Sequence, residues 1–149
     1  MPEEADIRVC AEEDLAEVAA LYQRWQEEES VYGLRAEPAE RLRQRMGDFF
    51  LVARADGKAV GFAIGSPGRE PFCIFPDGRP YLEVEDVYVA PDFRGRGIGT
   101  ALVKSLMDAA TEKGISRFSL YSASRRYQEA VRFYERFGFE VWAIQMFKR

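Results

Sequence analysis

The stretch YLEVEDVYVAPDFRGRGIGTALVKSLMDA, from Tyr81 to Ala109, changes its hydrophobic pattern midway. Its first part is apolar and β-rich up to Pro91, which ends the predicted strand. From Ile98 onward apolar residues recur at helical spacing, and Gly114 ends the predicted helix. The glycine-rich segment Arg94–Gly99 therefore lies between a strand and the N-terminus of a helix.

This segment has the features of a phosphate site. Its small residues leave backbone N–H groups unobstructed, and a helix N-terminus carries about half a positive charge. It is not a dinucleotide fingerprint, because Gly99 comes one residue early and Thr100 stands in the place of the third glycine. A Walker loop is excluded too, since no Gly-Lys-Ser/Thr follows.

The flanking sequence predicts alternating strands and helices around a mixed sheet. Asp56-Gly57 between two apolar runs predicts a tight hairpin. A change of phase at Asp86 indicates a bulge. The predicted strands are Ile7–Val9, Phe49–Ala55, Ala59–Gly65, Tyr81–Val89, Phe118–Tyr121 and Val141–Phe147; the other predicted helices are Leu15–Trp25, Pro38–Met46 and Ala130–Phe137, and Ser66–Pro80 is predicted as a long loop.

Composition bounds the class of protein. The 149 residues, 47% hydrophobic and 31% charged, predict one domain over residues 1–149 with a single core. The chain has no histidine, which excludes imidazole bases and histidine metal sites. A net charge of −4 disfavours nonspecific nucleic-acid binding. Without a basic-then-apolar leader or an apolar run of ~20 residues, a cytoplasmic protein away from membranes is expected.

Arg94, Gly97 and Gly99 fit the pattern Gln/Arg-x-x-Gly-x-Gly/Ala, and the segment resembles the pyrophosphate-binding loop of the GNAT superfamily of N-acetyltransferases. The strand Glu85–Pro91 resembles that of the polyamine (spermidine/spermine) acetyltransferase branch, and Phe133–Phe139 resembles the family's C-terminal helix-to-strand signature. The resemblance implies an α/β fold with a mixed, mostly antiparallel central sheet, a splayed pair of parallel strands and flanking helices. It also implies transfer of an acetyl group from acetyl-CoA to a primary amine of a small cationic acceptor or of a protein or peptide.

Three residues are candidates for the chemistry. An alkyl ammonium has a pKa of about 10.4, so it must lose a proton before attack. In the family a strand carboxylate, often acting through water, accepts it; Glu85 matches the polyamine branch and Glu83 the histone branch. Alternating glutamates are equally typical of a solvated strand face. Tyr134 matches the tyrosine that protonates the departing thiolate, although its apolar neighbours also fit a core position.

The resemblance further implies the cofactor contacts. The backbone N–H of Val87 would bind the thioester oxygen, and Val89 would pair with the pantetheine arm. Tyr127 stands where many relatives carry an asparagine that holds the pantetheine, so the contact there stays open. The predicted acetyl-CoA-binding residues are Val87, Tyr88, Val89, Arg94, Gly95, Arg96, Gly97, Ile98, Gly99, Thr100 and Tyr127.

In the family, the acceptor site is built from the first helix pair and the loop before the central strand. Carboxylates attract an ammonium group, and aromatic faces add cation–π contacts. The predicted acceptor-binding residues are Glu28, Glu29, Tyr32 and Asp86, with Phe72 and Phe75 nearby. The run Glu27–Glu29 also fits a solvated helix end. No metal site is predicted.

The implied partners are acetyl-CoA and an amine, and a homodimer is compatible because family members are commonly dimers. The alternative is a noncatalytic sensor or partner module that binds acyl-CoA. Such a module would keep Arg94–Gly99 without needing Glu85 or Tyr134, so the presence of both residues favours an enzyme.

Overall fold

A computed structural model describes residues 5–149 as an α/β fold. The strands are β1 (Asp6–Val9), β2 (Phe50–Ala55), β3 (Lys58–Gly68), β4 (Tyr81–Val89) and β5 (Phe118–Leu120). The helices are α1 (Leu15–Glu28), α2 (Ala39–Gln44), α3 (Ile98–Glu112) and α4 (Tyr127–Glu135). Among these residues, no helix combines the length and apolar character that crossing a membrane requires.

The strands form one mixed sheet in the order β1-β2-β3-β4-β5. The pairs β1–β2, β2–β3 and β3–β4 are antiparallel, whereas the pair β4–β5 is parallel. The parallel ladder runs from Leu82↔Phe118 to Val84↔Leu120, while β4 continues to Val89. The predicted mostly antiparallel sheet with one splayed parallel pair is thus confirmed.

Two local features of the sheet follow from the sequence as predicted. Asp56 and Gly57 have φ of 53° and 72°, the left-handed pair that a two-residue hairpin requires. A bulge interrupts the β3–β4 ladder, since Ile64 pairs with Asp86 but Gly65 pairs with Val84. Glu85 is the extra residue between those pairs, and a bulge of this kind re-aims the side chains beside it.

Helices cover both faces of the sheet. On one face, the Tyr22 ring of α1 stacks on Phe62 at 5.1 Å between centroids. Gly61, the neighbouring residue of β3, faces the other side, because successive strand residues alternate. A Cβ at Gly61 would lie 2.7 Å from the Tyr88 carbonyl oxygen of β4 and 3.3 Å from Leu102 of α3, so the close approach of the β4 backbone requires glycine here.

One charged residue, Asp14, is fully buried before α1. Its carboxylate accepts hydrogen bonds from Arg8 and Arg54 at 2.9 Å each and from the Ala11 amide at 2.8 Å. Burial opposes ionisation, but the bonds from Ala11 and Arg8 outweigh it and hold the pKa of the Asp14 carboxyl below its usual value. The network ties the start of α1 to β1 and β2.

The prediction of a closing strand over Val141–Phe147 is wrong. Residues 140–149 are exposed and belong to no helix or strand. β5 offers only three residues as cross-strand partners, which is too short a ladder for residues 141–147 to extend. Instead the Trp142 ring lies 5.8 Å from Phe72, and Phe147 lies 5.8 Å from Tyr32.

Several boundaries also differ from the prediction, among them the ends of β3 and α2. β3 extends to Gly68, because its last residues still pair with β4, so the following loop is shorter than predicted. α2 ends at Gln44 rather than at Met46, and Arg45 follows it in the helical region at φ −95°. Arg45 thereby projects from the end of a helix.

Candidate active site

The glycine-rich loop connects β4 to α3 with the backbone shape that its sequence predicts. Gly95 and Gly97 have φ of 77° and 80°, a left-handed conformation that glycine adopts without steric cost. Gly97 is the N-cap of α3, and within the described chain no side chain caps this terminus. The first turn of α3 carries no acidic residue either. Its free N–H groups and positive dipole end form an anion site.

A cavity of 340 Å³ opens at this helix terminus. Seven of the predicted cofactor residues surround it, together with two α4-region residues that sequence reasoning did not assign to the cofactor. The lining residues are Val89, Phe93, Arg94, Gly95, Gly97, Ile98, Gly99, Thr100, Phe133 and Arg136. Arg136 lies in the C-terminal signature, and its guanidinium stands 5.6 Å from the Phe133 ring, so it adds positive charge on the far wall.

Four of the predicted cofactor residues lie outside this lining. Arg96 stacks on Phe93 at 4.9 Å and donates to the Asp92 carbonyl at 3.2 Å. Tyr127 is 59% exposed at the start of α4. Val87 and Tyr88 lie further back on β4, and the Tyr88 side chain is buried on the α1 face.

Arg94 is held by groups from two elements. Its Nη2 lies 2.8 Å from Glu28 Oε1 at the end of α1, and its Nε donates to the Val89 carbonyl at 2.9 Å. The Tyr88 hydroxyl donates to Glu28 Oε2 at 2.5 Å. Glu28, predicted to bind the acceptor, therefore contacts the cofactor loop.

A cluster of carboxylates surrounds Arg45 at the bulge of β4. Nη1 of the guanidinium lies 2.9 Å from Glu37 Oε2 and 3.1 Å from Asp86 Oδ2. Nη2 donates a hydrogen bond to Glu85. The Tyr22 hydroxyl donates to the same Asp86 oxygen at 2.6 Å. The structure thus brings two predicted site residues, Glu85 and Asp86, into one cluster.

Asp86 is the most enclosed of the three carboxylates, with its side chain 15% exposed. Burial raises the pKa of its carboxyl above the usual value, although the bonds from Tyr22 and Arg45 act in the opposite direction. Both of those bonds reach Oδ2. Glu83, two residues before Glu85, pairs across the sheet with Ser66 and Ser119 and is half-buried.

Tyr134 lies on α4 among aromatic rings. Phe133 and Phe139 stand 4.9 Å and 5.7 Å from its ring centroid. Burial raises the pKa of its phenol to about 12, and the negative charge of Asp86 contributes to the shift. The phenol is therefore protonated at neutral pH, and the charge of the Asp86 carboxylate acts on it.

The remaining predicted acceptor residues lie beside the connection between β5 and α4. Glu29 is exposed and ends α1 in a left-handed conformation at φ 53°. The Tyr32 amide donates to the Ala123 carbonyl at 3.0 Å, and the Arg125 guanidinium stacks over the Tyr32 ring at 4.2 Å. Phe72 packs separately, against Phe75 at 5.2 Å.

A second cavity, of 310 Å³, borders the carboxylate cluster at Arg45. It is formed by the α2–β2 connection and the end of β3, and Arg45 is part of its wall. Its lining residues are Gln44, Arg45, Met46, Gly47, Asp48, Phe49, Ile64, Gly65, Ser66 and Pro67. Within residues 5–149, no group of three histidine, cysteine or carboxylate side chains could hold a metal ion.

Comparison with known proteins adds family information to this geometry. The sequence pattern of the acetyltransferase (GNAT) family matches residues 12–139. The chain is 35% identical to an uncharacterized N-acetyltransferase of Methanocaldococcus jannaschii over 99 residues. The aligned region covers 66% of this chain and 42% of that protein. The chain spans less than half the length of the first three curated relatives that it matches.

Solved structures match over nearly the whole chain. A ribosomal-protein-alanine N-acetyltransferase from Brucella melitensis biovar Abortus 2308 superposes with a TM-score of 0.73 at 27% identity, covering 99% of this chain and 100% of that one. An aminoglycoside N-acetyltransferase solved in complex with CoA superposes with a TM-score of 0.71 at 25% identity, covering 97% and 98%.

Proposed function

The chain belongs to the acetyltransferase (GNAT) family, and on that premise we propose that it transfers the acetyl group of acetyl-CoA to a primary amine. The observation that carries the proposal is the cavity at the N-terminus of α3, where unpaired amides and two arginines suit a pyrophosphate. The amine nitrogen attacks the thioester carbonyl carbon, the new C–N bond forms, and the C–S bond breaks. CoA leaves as a thiolate.

The residues present fit acetyl-CoA. Arg94 and Arg136 both line the cavity, and the glycines between β4 and α3 let backbone amides approach phosphate oxygens. Beyond Val84 and Leu120, β4 and β5 no longer pair, which leaves strand backbone available to the pantetheine amides. The related enzyme solved with CoA supports this assignment.

Proton transfer is proposed to begin at the bulge of β4. A carboxylate there takes the proton from the acceptor ammonium, directly or through water, and Glu85 is the first choice because it matches the family's glutamate. Glu83 is the second. Glu85→Gln is expected to lower kcat by about 10² to 10⁴-fold, the usual contribution of a general base. Glu83→Gln is the matched comparison; a larger loss there would move the role to Glu83.

Tyr134 is proposed to face the leaving sulfur. Its phenol is protonated and lies in apolar surroundings close enough to Asp86 to sense that charge. Donation to the thiolate would stabilise the charge that develops on sulfur. In this proposal the base lies on β4 and the acid on α4.

The acceptor is proposed to be a small cationic amine of the polyamine type. Three carboxylates (Glu37, Glu85 and Asp86) face one guanidinium, so the cluster keeps an excess of two negative charges when all are ionised. Glu29, exposed after the end of α1, suits a second ammonium. The experiment is a panel of polyamines, aminoglycosides, amino sugars and lysine peptides, with release of CoA thiol as the readout.

The assay needs one control from this chain. Cys73 is an exposed free cysteine and would react with the same thiol reagent, so Cys73→Ser supplies the background-free enzyme. Thiol release that depends on both acetyl-CoA and an amine is expected. Tight binding of acetyl-CoA with no release on any amine would overturn the enzyme proposal in favour of a noncatalytic acyl-CoA-binding module.

A further inference from the structure

We propose that Arg45 is a positioning residue that serves as the shared counter-ion of the bulge carboxylates and thereby sets the pH at which acetyl transfer begins. This inference rests on the proposed function and adds a residue that lies outside every motif of the sequence. The guanidinium binds Glu85 and Asp86 on β4 and Glu37 ahead of α2. It is therefore the shared counter-ion of three acids.

The bulge creates the need for such a counter-ion. Without an extra residue, successive strand side chains point to opposite faces of a sheet. The bulge places Glu85 outside the ladder beside Asp86, and both carboxylates reach the same guanidinium. Two carboxylates that share a site cannot both ionise easily, and one of them takes a raised pKa. A cation bonded to both reduces that penalty, although burial still leaves the pKa of the Asp86 carboxyl above its usual value.

Arg45 is suited to this task by its place in the fold. Its side chain is 22% exposed, so its field is less screened than that of a surface arginine. Despite the cost of burial, the hydrogen bond to Glu37 and the charges of Asp86, Glu37 and Glu85 raise its pKa, so it stays charged throughout the working range. A planar guanidinium bonds several acceptors at once, which an ammonium does less well.

The groups that face the carboxylates come from four directions. Tyr22 on α1 donates to Asp86, and Arg45 follows α2. Glu37 precedes α2 and binds the same guanidinium. Tyr134 on α4 senses the charge of Asp86. Arg45 is the one positive group among them in the described part of the chain. Its removal leaves the carboxylates repelling one another, with the neutral hydroxyl of Tyr22 as the remaining hydrogen-bond donor to Asp86.

The sign of the effect follows. A cation next to a carboxyl lowers its pKa, by about one to three units at contact distance. Removing the cation raises the pKa of the base, so a higher pH is needed to ionise it. Arg45→Gln is expected to move the acidic limb of the kcat–pH profile upward by about one unit or more, while KM for acetyl-CoA stays within twofold. Arg45→Lys keeps a charge and is expected to restore the limb in part.

Arg43→Gln is the matched control. Arg43 is two residues earlier, on α2, and pairs with Glu12 at 2.6 Å on the surface, where both side chains are more than half exposed. Its loss changes net charge by the same amount without touching the bulge. The limb of this variant is expected to coincide with that of the parent protein. If Arg43→Gln moves the limb as far as Arg45→Gln does, a general charge effect replaces the proposal.

A second readout works without turnover. Carboxyl ¹³C resonances of Glu85 and Asp86, titrated by NMR in the parent and in Arg45→Gln, report the pKa directly, and the native amide spectrum checks that the variant is folded. A rise in the pKa of either carboxyl supports the proposal. Unchanged pKa values of both carboxyls overturn it, whether or not an amine has been found. Absence of acetyl transfer by the parent protein would instead count against the proposed function.

Discussion

Tyr134→Phe removes one hydroxyl group from the candidate site and tests the role of the leaving-group side. The phenol has a pKa raised to about 12 by burial. An alkyl thiol has a pKa near ~8.5, so full transfer of the phenol proton to a free thiolate is uphill by ~3.5 units, or about 5 kcal/mol at 1.36 kcal/mol per unit. Tyr134 is therefore expected to act as a hydrogen-bond donor to the sulfur without giving its proton away completely.

The size of the effect follows from that role. A hydrogen bond to a charged group contributes about 1.5 to 3 kcal/mol. At 1.36 kcal/mol per factor of ten, kcat of Tyr134→Phe should fall about 10- to 150-fold. KM for acetyl-CoA should change little, because the hydroxyl acts when charge develops on sulfur. No basic limb from this phenol is expected below a pH of about 11, since the group stays protonated there.

The assay is steady-state thiol release with both substrates saturating, in the Cys73→Ser background. Tyr121→Phe is the matched control, because Tyr121 is 71% exposed and its hydroxyl has no part in the proposed chemistry. Unchanged kcat in Tyr134→Phe would show that the phenol does not meet the sulfur. A loss above 10³-fold would refute the argument from the raised pKa and indicate complete proton transfer.

Three further predictions concern the cofactor loop and the core. A Cβ at Gly99 would lie 3.6 Å from the Phe133 ring, so Gly99→Val should raise KM for acetyl-CoA tenfold or more, and Gly99→Ala much less. Glu28→Gln removes the ion pair with Arg94, leaves that arginine available to phosphate, and should change the Kd for CoA measured by calorimetry. The free energy of unfolding should change by no more than about 1 kcal/mol, because Arg94 is 47% exposed. Asp14→Ala leaves two arginines without their buried partner and should lower the free energy of unfolding in urea by about 3 to 5 kcal/mol. Because the pKa of Asp14 is depressed on folding, its contribution to stability is present above pH ~4 and is lost on acidification. Between pH 5 and 2, the free energy of unfolding measured in urea should therefore depend less on pH in this variant than in the parent protein.

Local patterns were sufficient to predict most of the fold. The hairpin at Asp56-Gly57, the strand Tyr81–Val89 and the helix that begins at Ile98 each depend on residues within a few positions of one another. The left-handed shape of the glycine-rich loop is of the same kind, because glycine's access to positive φ is a local property.

The parts that sequence missed depend on distant partners. From its sequence context, Arg45 looks like one more exposed arginine at a helix end. In the structure it bonds Glu85 and Asp86, which are 40 and 41 positions away in the chain. Glu28 reads as part of an acidic helix end, but its partner Arg94 is 66 positions away. The apolar run near Val141 has the composition of a strand, yet β5 is too short to pair with it. No periodicity carries such information, since it depends on which elements meet.

The three-residue ladder between β4 and β5 also divides the molecule into parts of unequal stability. The sheet up to β4, with α1 and α3, contains nearly all of the buried side chains, whereas α4 has none and residues 140–149 are exposed. Amide hydrogen exchange should therefore be slow in β2–β4 and α3 but rapid in α4, through local opening that leaves the main cooperative unit intact. Since Glu85 lies in the stable unit and Tyr134 in the other, the proposed base and the proposed acid can separate and rejoin without global unfolding.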